Sequence, residues 1–174
     1  NPKITLVDVE AIAETAHEAG ALLIVDNTFA TPYLIHCIDK GADLVIESLT
    51  KFMNGHSDAL LGSVSGKAEL VDRIELLQHL YGGSGGTFNS WLVLRSLRTL
   101  DLRMDRHTSN ADKLANALAK HPRVTKVNYP TVPGYPQAET AKKLFEGKGC
   151  GGMLSFELAP DCKPEMSRML KNLK

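Results

Sequence analysis

Two stretches decide the fold: Gly20-Ala21-Leu22-Leu23-Ile24-Val25-Asp26-Asn27-Thr28 and Asp43-Leu44-Val45-Ile46-Glu47-Ser48-Leu49-Thr50-Lys51. In the first, an unbroken apolar run over 21–25 lies between Gly20 and the turn-prone Asp26-Asn27-Thr28. A short run of that kind suits a strand buried on both faces of a sheet. In the second, Asp43-Leu44-Val45-Ile46 follows Gly41 and reads as another strand, ending at the segment Ser48 to Lys51. Upstream, Asp8 reads as the N-cap of a helix over 8–19, with Glu10 in its first turn and Gly20 just past its end. Val9, Ile12, Ala13 and Ala16 recur on one face of that helix. The stretch 32–40 reads as a short helix between the two strands. Strand, helix, strand in this order implies right-handed crossovers and a parallel sheet. In open sheets of this class ligands bind beyond the carboxyl ends of the strands, and Asp26 and Lys51 both sit at such ends.

Downstream, Leu70, Val71, Ile74 and Leu77 share a face of an expected helix over 68–80. Gly82-Gly83-Ser84-Gly85-Gly86 reads as a loop, followed by a long helical stretch over 88–120 with Trp91, Leu94, Leu97 and Leu100. A switch of face near 103–108 predicts a bend or domain crossing there. Beyond Pro122, 124–129 reads as a strand and Pro130, Pro133, Gly134 and Pro136 as an irregular loop. The alternation over 153–158 predicts a half-buried strand, and 164–173 a terminal helix. No internal repeat stands out, and the domain boundary falls near 105–120, giving units 1–105 and 106–174.

The chain has 174 residues, 43% hydrophobic and 23% charged, within the ordinary range of a globular domain with a genuine core. Twenty basic and twenty acidic residues cancel, which argues against a nucleic-acid binder and gives no hint of membrane attachment. No apolar stretch approaches the ~20 residues that span a bilayer. Cys37, Cys150 and Cys162 are an odd number without Cys-x-x-Cys spacing, which points to a reducing cytoplasm rather than a disulfide framework or zinc site. The start at Asn1-Pro2-Lys3, without Met or a signal pattern, reads as a chain cut from something longer.

The chemistry concentrates around Lys51. An ordinary lysine is protonated and a poor nucleophile, but one desolvated beside an aldehyde cofactor forms an imine. A carboxylate placed like Asp26 can keep a pyridine nitrogen protonated, and hydroxyls such as Ser48 and Thr50 can donate to phosphate oxygens. Taken singly, each has a bland reading: Ser-x-Thr-Lys occurs by chance as a polar turn, and an Asp at a strand end is commonly a cap. His56, in Asn54-Gly55-His56-Ser57-Asp58, fits a polar turn better than a metal ligand, so no metal site is expected. Ser48-Leu49-Thr50-Lys51 also fits the Ser-x-x-Lys hydrolase pattern formally. Those hydrolases need Ser-Asp-Asn and Lys-Thr-Gly elements, and this chain has neither.

Several longer motifs, in order, resemble the Cys/Met-metabolism enzymes dependent on pyridoxal phosphate. They are Val25-Asp26-Asn27-Thr28-Phe29-Ala30-Thr31-Pro32, Ser48 through Asp58, Trp91-Leu92-Val93-Leu94-Arg95 with Thr99-Leu100-Asp101-Leu102-Arg103-Met104, Tyr129-Pro130, and Gly151-Gly152-Met153-Leu154-Ser155-Phe156. The resemblance runs from Asn1 to about Leu158. It implies the aspartate-aminotransferase-like (fold type I) α/β large domain with a mostly parallel sheet, plus the start of a small α+β C-terminal domain. It also implies pyridoxal 5'-phosphate as cofactor and Lys51 as its Schiff-base lysine. Asp26 is implied as the partner of the pyridine nitrogen, with Ser48 and Thr50 as phosphate contacts. Thr28 is implied against one ring face, and Asn1 near the ring hydroxyl. Glu47 departs from the small polar or aromatic residue of many relatives, and Leu49 from their Ala.

The same resemblance implies a C–S lyase or γ-synthase acting on a small sulfur-containing amino acid, in a cytoplasmic homo-oligomer (homotetramer). The Asn54–Asp58 and 151–156 motifs lean slightly towards the γ-lyases. Full-length relatives carry an upstream phosphate-cradling glycine loop, a ring-stacking tyrosine and an arm into a neighbouring subunit. Downstream they carry an arginine for the substrate carboxylate. None of these is in this sequence, so the alternative expectation is a truncated domain that keeps the fold without turnover.

Overall fold

The computed structural model describes residues 3–173. Helix α1 (Val9–Glu18) begins where the Asp8 carboxylate accepts the Ala11 amide at 3.2 Å, the cap foreseen from the sequence. Strand β1 (Ile24–Asp26) follows, then a single helical turn, α2 (Thr31–Leu34), and strand β2 (Leu44–Ser48). The helix expected over 32–40 thus shrinks to one turn started by Pro32, and turns occupy 37–41. β1 and β2 pair in parallel, with Val25 opposite Val45 and Asp26 opposite Ile46.

β3 (Gly62–Gly66) lies antiparallel on the other side of β2, giving the order β1-β2-β3. Its Gly-Ser-Val-Ser-Gly composition has one apolar residue, so periodicity could not reveal it. The strand expected to be buried on both faces is covered on one. Val25, Val45 and Glu47 point to the covered side, whereas Ile24 and Ile46 are 53% and 41% exposed on the other. Alternation along the strands puts Asp26 and Ser48 on that same open face.

α3 (Ala68–Tyr81) forms as expected, with Leu70, Val71 and Ile74 only half-buried and Leu77 exposed. The long helix predicted over 88–120 is two helices, α4 (Thr87–Leu97) and α5 (Leu100–Leu118). The break falls at Arg98-Thr99, before the expected 103–108, because side chains claim the carbonyl oxygen that would continue the ladder. The Ser96 oxygen accepts the Thr99 hydroxyl at 3.2 Å and Arg103 Nη2 at 3.0 Å. β4 (Val124–Asn128) and β5 (Ser155–Leu158) form where strands are expected over 124–129 and 153–158, and they pair with each other in a separate antiparallel sheet.

α6 (Ala138–Phe145) was not foreseen; it buries Ala141, Leu144 and Phe145 at helical spacing. A 3₁₀ turn (Pro160–Cys162) leads into the terminal α7 (Lys163–Asn172). The main core gathers Val9, Leu34, Ile35, Met104, Leu144 and Phe145, with Met104 fully buried, so α5 and α6 close over the first sheet's covered side.

Asp43, only 1% exposed at its side chain, stands at the entrance to β2. It accepts the Leu23 amide at 2.8 Å, His17 Nε2 at 2.8 Å and Lys67 Nζ at 2.6 Å. Lys67 first, then the Leu23 amide and His17, hold this carboxyl well below the usual carboxylate range. A depressed carboxyl pKa stabilises the fold fully above the ordinary value of about 3.9 and loses that effect as pH falls below it. Asp43→Asn is therefore expected to lower the melting temperature by several degrees at pH 7, with the gap to wild type narrowing by pH 3. Thermal melts followed by circular dichroism at both pH values check this.

Candidate functional site

The carboxyl ends of β1 and β2 lie side by side, and the chain there folds into turns built by short-range hydrogen bonds. Asp26 Oδ1 accepts the Thr28 amide at 3.0 Å, and the buried Thr28 hydroxyl in turn accepts the Ser48 amide at 2.8 Å. Thr28 thus bolts the two strand ends together. After Ser48 the Lys51 amide donates to the Ser48 carbonyl at 3.1 Å, and the Gly55 amide donates to the Lys51 carbonyl at 2.7 Å. Gly55 takes φ +74°, a conformation glycine adopts without strain.

Lys51 is exposed and lines an open cleft of about 750 Å³ together with Thr50, Phe29, Phe52, His107 and Met153. Phe52 sits edge-on between Phe29 and His107, with ring centroids 6.1 and 5.1 Å away, and stiffens this wall. Sequence reading singled out neither His107 nor Met153, which reach the cleft from α5 and the approach to β5. Asp26, Thr28 and Ser48 are not on the cleft wall but on the strand ends that lead into it. Asn1 lies outside the described residues.

The hydroxyls differ in what they have left to give. Thr50 Oγ1 accepts the Leu61 amide at 3.2 Å and donates weakly to the Leu61 carbonyl at 3.4 Å, clasping the start of β3. Among the described residues, the Ser48 hydroxyl, the Lys51 ammonium and Asp26 Oδ2 have no hydrogen-bond or ion-pair partner. An amine, a hydroxyl donor and a carboxylate suit a ligand that offers an aldehyde, a phosphate and a basic ring nitrogen. Ser48 ends a strand and opens no helix, so the Ser-x-x-Lys hydrolase geometry is not present. Among the described residues no group of His, Cys, Asp and Glu side chains could hold a metal ion, and no helix is long and apolar enough to cross a membrane. His56 is engaged inside its turn. Its Nδ1 lies 2.6 Å from the Asn54 carbonyl, which can only accept, so that nitrogen carries the proton.

Glu47 points away from the open face into the covered side, 6% exposed. Asn27 Nδ2 donates to it at 3.2 Å and to the Ile35 carbonyl at 3.1 Å. Burial, opposed by the Asn27 hydrogen bond and aided by the charge of Asp26, pushes its carboxyl up to about 7.

The backbone matches solved structures closely. It superposes on cystathionine γ-synthase from Xanthomonas oryzae pv. oryzae, solved in complex with aminoacrylate and cysteine, with a TM-score of 0.94 at 38% identity. That match covers all of this chain and 44% of the other. Cystathionine γ-lyase from Lactobacillus plantarum, complexed with L-serine, gives 0.91 at 38% identity over all of this chain and 45% of the other. The fold is therefore that of the fold type I pyridoxal-phosphate enzymes.

The family model described as Cys/Met metabolism PLP-dependent enzyme matches residues 1–174, and the chain belongs to that family. Cystathionine γ-lyase of Dictyostelium discoideum is 43% identical over 90% of this chain and 40% of its own length. L-methionine γ-lyase of Treponema denticola is 41% identical over 90% of this chain and 39% of its own. The chain thus spans about 40% of the length of the curated relatives it matches.

A raised carboxyl pKa means that the folded state keeps a proton that the unfolded chain has released. Glu47 therefore weakens the fold progressively as pH rises from about 4.3 through about 7. Glu47→Gln keeps an acceptor for Asn27 and removes the titration. The variant is expected to be more stable than wild type at pH 8, by on the order of 2 kcal/mol, with the gain vanishing near pH 5. Urea unfolding at the two pH values measures it.

Proposed function

We propose that this chain carries the cofactor-binding half-site of a pyridoxal-phosphate-dependent C–S lyase or γ-synthase acting on small sulfur-containing amino acids. The observation that carries this reading is the unpartnered Lys51 amine in an open cleft, at the end of strands that present Asp26 and Ser48 on one face. When bound, pyridoxal phosphate supplies an aldehyde for a primary amine and an electron-withdrawing ring for the substrate carbon.

The residues of the chain divide the remaining work. Lys51 would hold the cofactor through its amine, and its Nζ, when free, would carry protons between substrate carbons. Asp26 holds a proton on the ring nitrogen through its free oxygen. The Ser48 hydroxyl donates to the phosphate. Thr50 does the same only by surrendering its weak bond to the Leu61 carbonyl. Thr28 acts beneath the ring by fixing the two strand ends.

Cystathionine or methionine γ-elimination is the reaction type favoured by the relatives' names, with the division at 105/106 separating a large domain from the start of a small one. Each side of that division has its own sheet, with α5 running between them. Three free thiols support a reducing cytoplasm. The exposed Leu80, Tyr81, Phe88 and Trp91 on α3 and α4 give a homotetramer an apolar surface to cover. The second reading, a domain that keeps the fold without turnover, is favoured by the share of the relatives' length that the chain spans.

Incubation with pyridoxal phosphate, borohydride reduction and peptide mass mapping test the proposal. The expected result is one pyridoxyl group, on Lys51, lost in Lys51→Ala while the melting temperature of this exposed-site variant stays within about 2 °C of wild type. Label spread over surface lysines, or none, overturns the reading. Turnover of cystathionine or methionine by the chain loaded with pyridoxal phosphate and left unreduced decides between an active piece and a silent one.

A further inference from the structure

The motif Thr99-Leu100-Asp101-Leu102-Arg103 ends on a side chain that the cofactor chemistry leaves without a role. Arg103 rises from the first turn of α5 towards the back of the Lys51 turn. Nη1 donates to the Phe52 carbonyl at 2.5 Å, Nη2 to the Met53 carbonyl at 2.9 Å and to the Ser96 carbonyl at 3.0 Å. Nε donates to the Thr99 hydroxyl at 3.2 Å. Among the described residues no carboxylate pairs with this guanidinium, and its partial burial lowers its pKa. A cation taken from water and given only neutral acceptors is an expensive choice, so the arrangement calls for an explanation other than charge pairing.

The geometry supplies one. The Phe52 and Met53 carbonyls belong to the two residues directly after Lys51, and one guanidinium receives both. Two adjacent carbonyls aimed in one direction repel each other unless a planar fork of donors receives both. On the far side the Gly55 amide closes on the Lys51 carbonyl, and the fully buried Asn54 is held by its amide to Leu49. Asn54 Oδ1 also accepts the Ser96 hydroxyl at 3.1 Å. Gly55 leaves room for the fork: a Cβ there would lie 2.2 Å from Arg103 Nη1. Ser96 is thus gripped twice, once by the turn and once by Arg103, which ties the α4–α5 break to the lysine.

We infer that Arg103 is a positioning residue for Lys51, fixing the 52–53 backbone from behind so that the lysine side chain leaves the turn towards the cleft. The inference rests on the reading of Lys51 given above, and one experiment separates the two. The step that reports position is the addition of the Lys51 amine to the pyridoxal phosphate aldehyde, with loss of water. Borohydride then delivers hydride to the C=N carbon, and the nitrogen takes a proton from solvent.

Wild type, Arg103→Lys and Thr99→Val are compared for the trapping rate at Lys51, the half-saturating pyridoxal phosphate concentration, and amide hydrogen exchange across the chain. A point-charge ammonium cannot serve the carbonyls as the fork does. Arg103→Lys is expected to slow trapping about tenfold and to speed exchange at 51–55 similarly, while half-saturation stays within about twofold and β2 and β4 exchange is unchanged. Thr99→Val, which removes the Nε acceptor together with the hydroxyl bond to the Ser96 carbonyl, shifts both in the same direction by about threefold and decides the matter if Arg103→Lys fails to fold. Unchanged exchange at 51–55 together with unchanged trapping overturns the role of Arg103. So does a parallel loss of rate and affinity with exchange raised throughout, the signature of a merely structural residue. Should wild type carry no label on Lys51, the cofactor reading falls by itself, and the response of 51–55 exchange still decides whether Arg103 holds the turn.

Discussion

The Asp43 carboxylate is the constraint on which the rest of the molecule depends. It is almost completely buried, yet it reaches the end of α1 through His17, the entry to β1 through the Leu23 amide, and the residue before α3 through Lys67. Burying a charge is unfavourable unless it is paired and hydrogen-bonded, and here every contact comes from a different segment. The register of β1 against β2 follows from it, because the Leu23 carbonyl also accepts the Asp43 and Leu44 amides where the two strands begin. Gly41 lets α1 approach closely: at φ +94° a Cβ there would stand 2.8 Å from the Ala13 Cβ.

Once that register is set, the chemistry at the other end of the strands is a matter of parity. Asp26 and Ser48 fall on one face and Glu47 on the other because side chains alternate along a strand. The face that carries Asp26 and Ser48 is left open, and the face that carries Glu47 is closed by the core. Two carboxylates near each other in sequence and space therefore meet different dielectrics. Glu47, deprived of water, is driven towards its neutral form, while Asp26 keeps an oxygen available to a ligand.

Much of this was legible in the residues and some was not. The alternation of short apolar runs with turn residues predicted the parallel β1–β2 pair, and chemical type alone pointed to Lys51, Asp26 and Ser48. What escaped was built from long-range or neutral contacts. β3 has hardly any apolar signal and exists because β2 offers it a ladder. Ser96 and Arg103, at the break between α4 and α5, meet the Lys51 turn across separations of 42 to 51 residues, which no local period records. Thr50 looked like a free hydroxyl until Leu61 came to face it. α6 was the avoidable omission, since Ala141, Leu144 and Phe145 already stood at helical spacing.

β1 is three residues long, has a neighbour on one side only among the described residues, and exposes Ile24 on its uncovered face. Unpaired amides and carbonyls along such an edge form a ready template for another extended segment, and natural sheets usually blunt it with charge, proline or a bulge. None of these devices occurs within Ile24–Asp26 except the carboxylate of Asp26 at its very end. Among the described residues that edge is open, and its amides and carbonyls can receive one further extended segment. Asp26, proposed above as the partner of a ring nitrogen, is thus also the one charge within β1, and it stands where the open edge meets the open face.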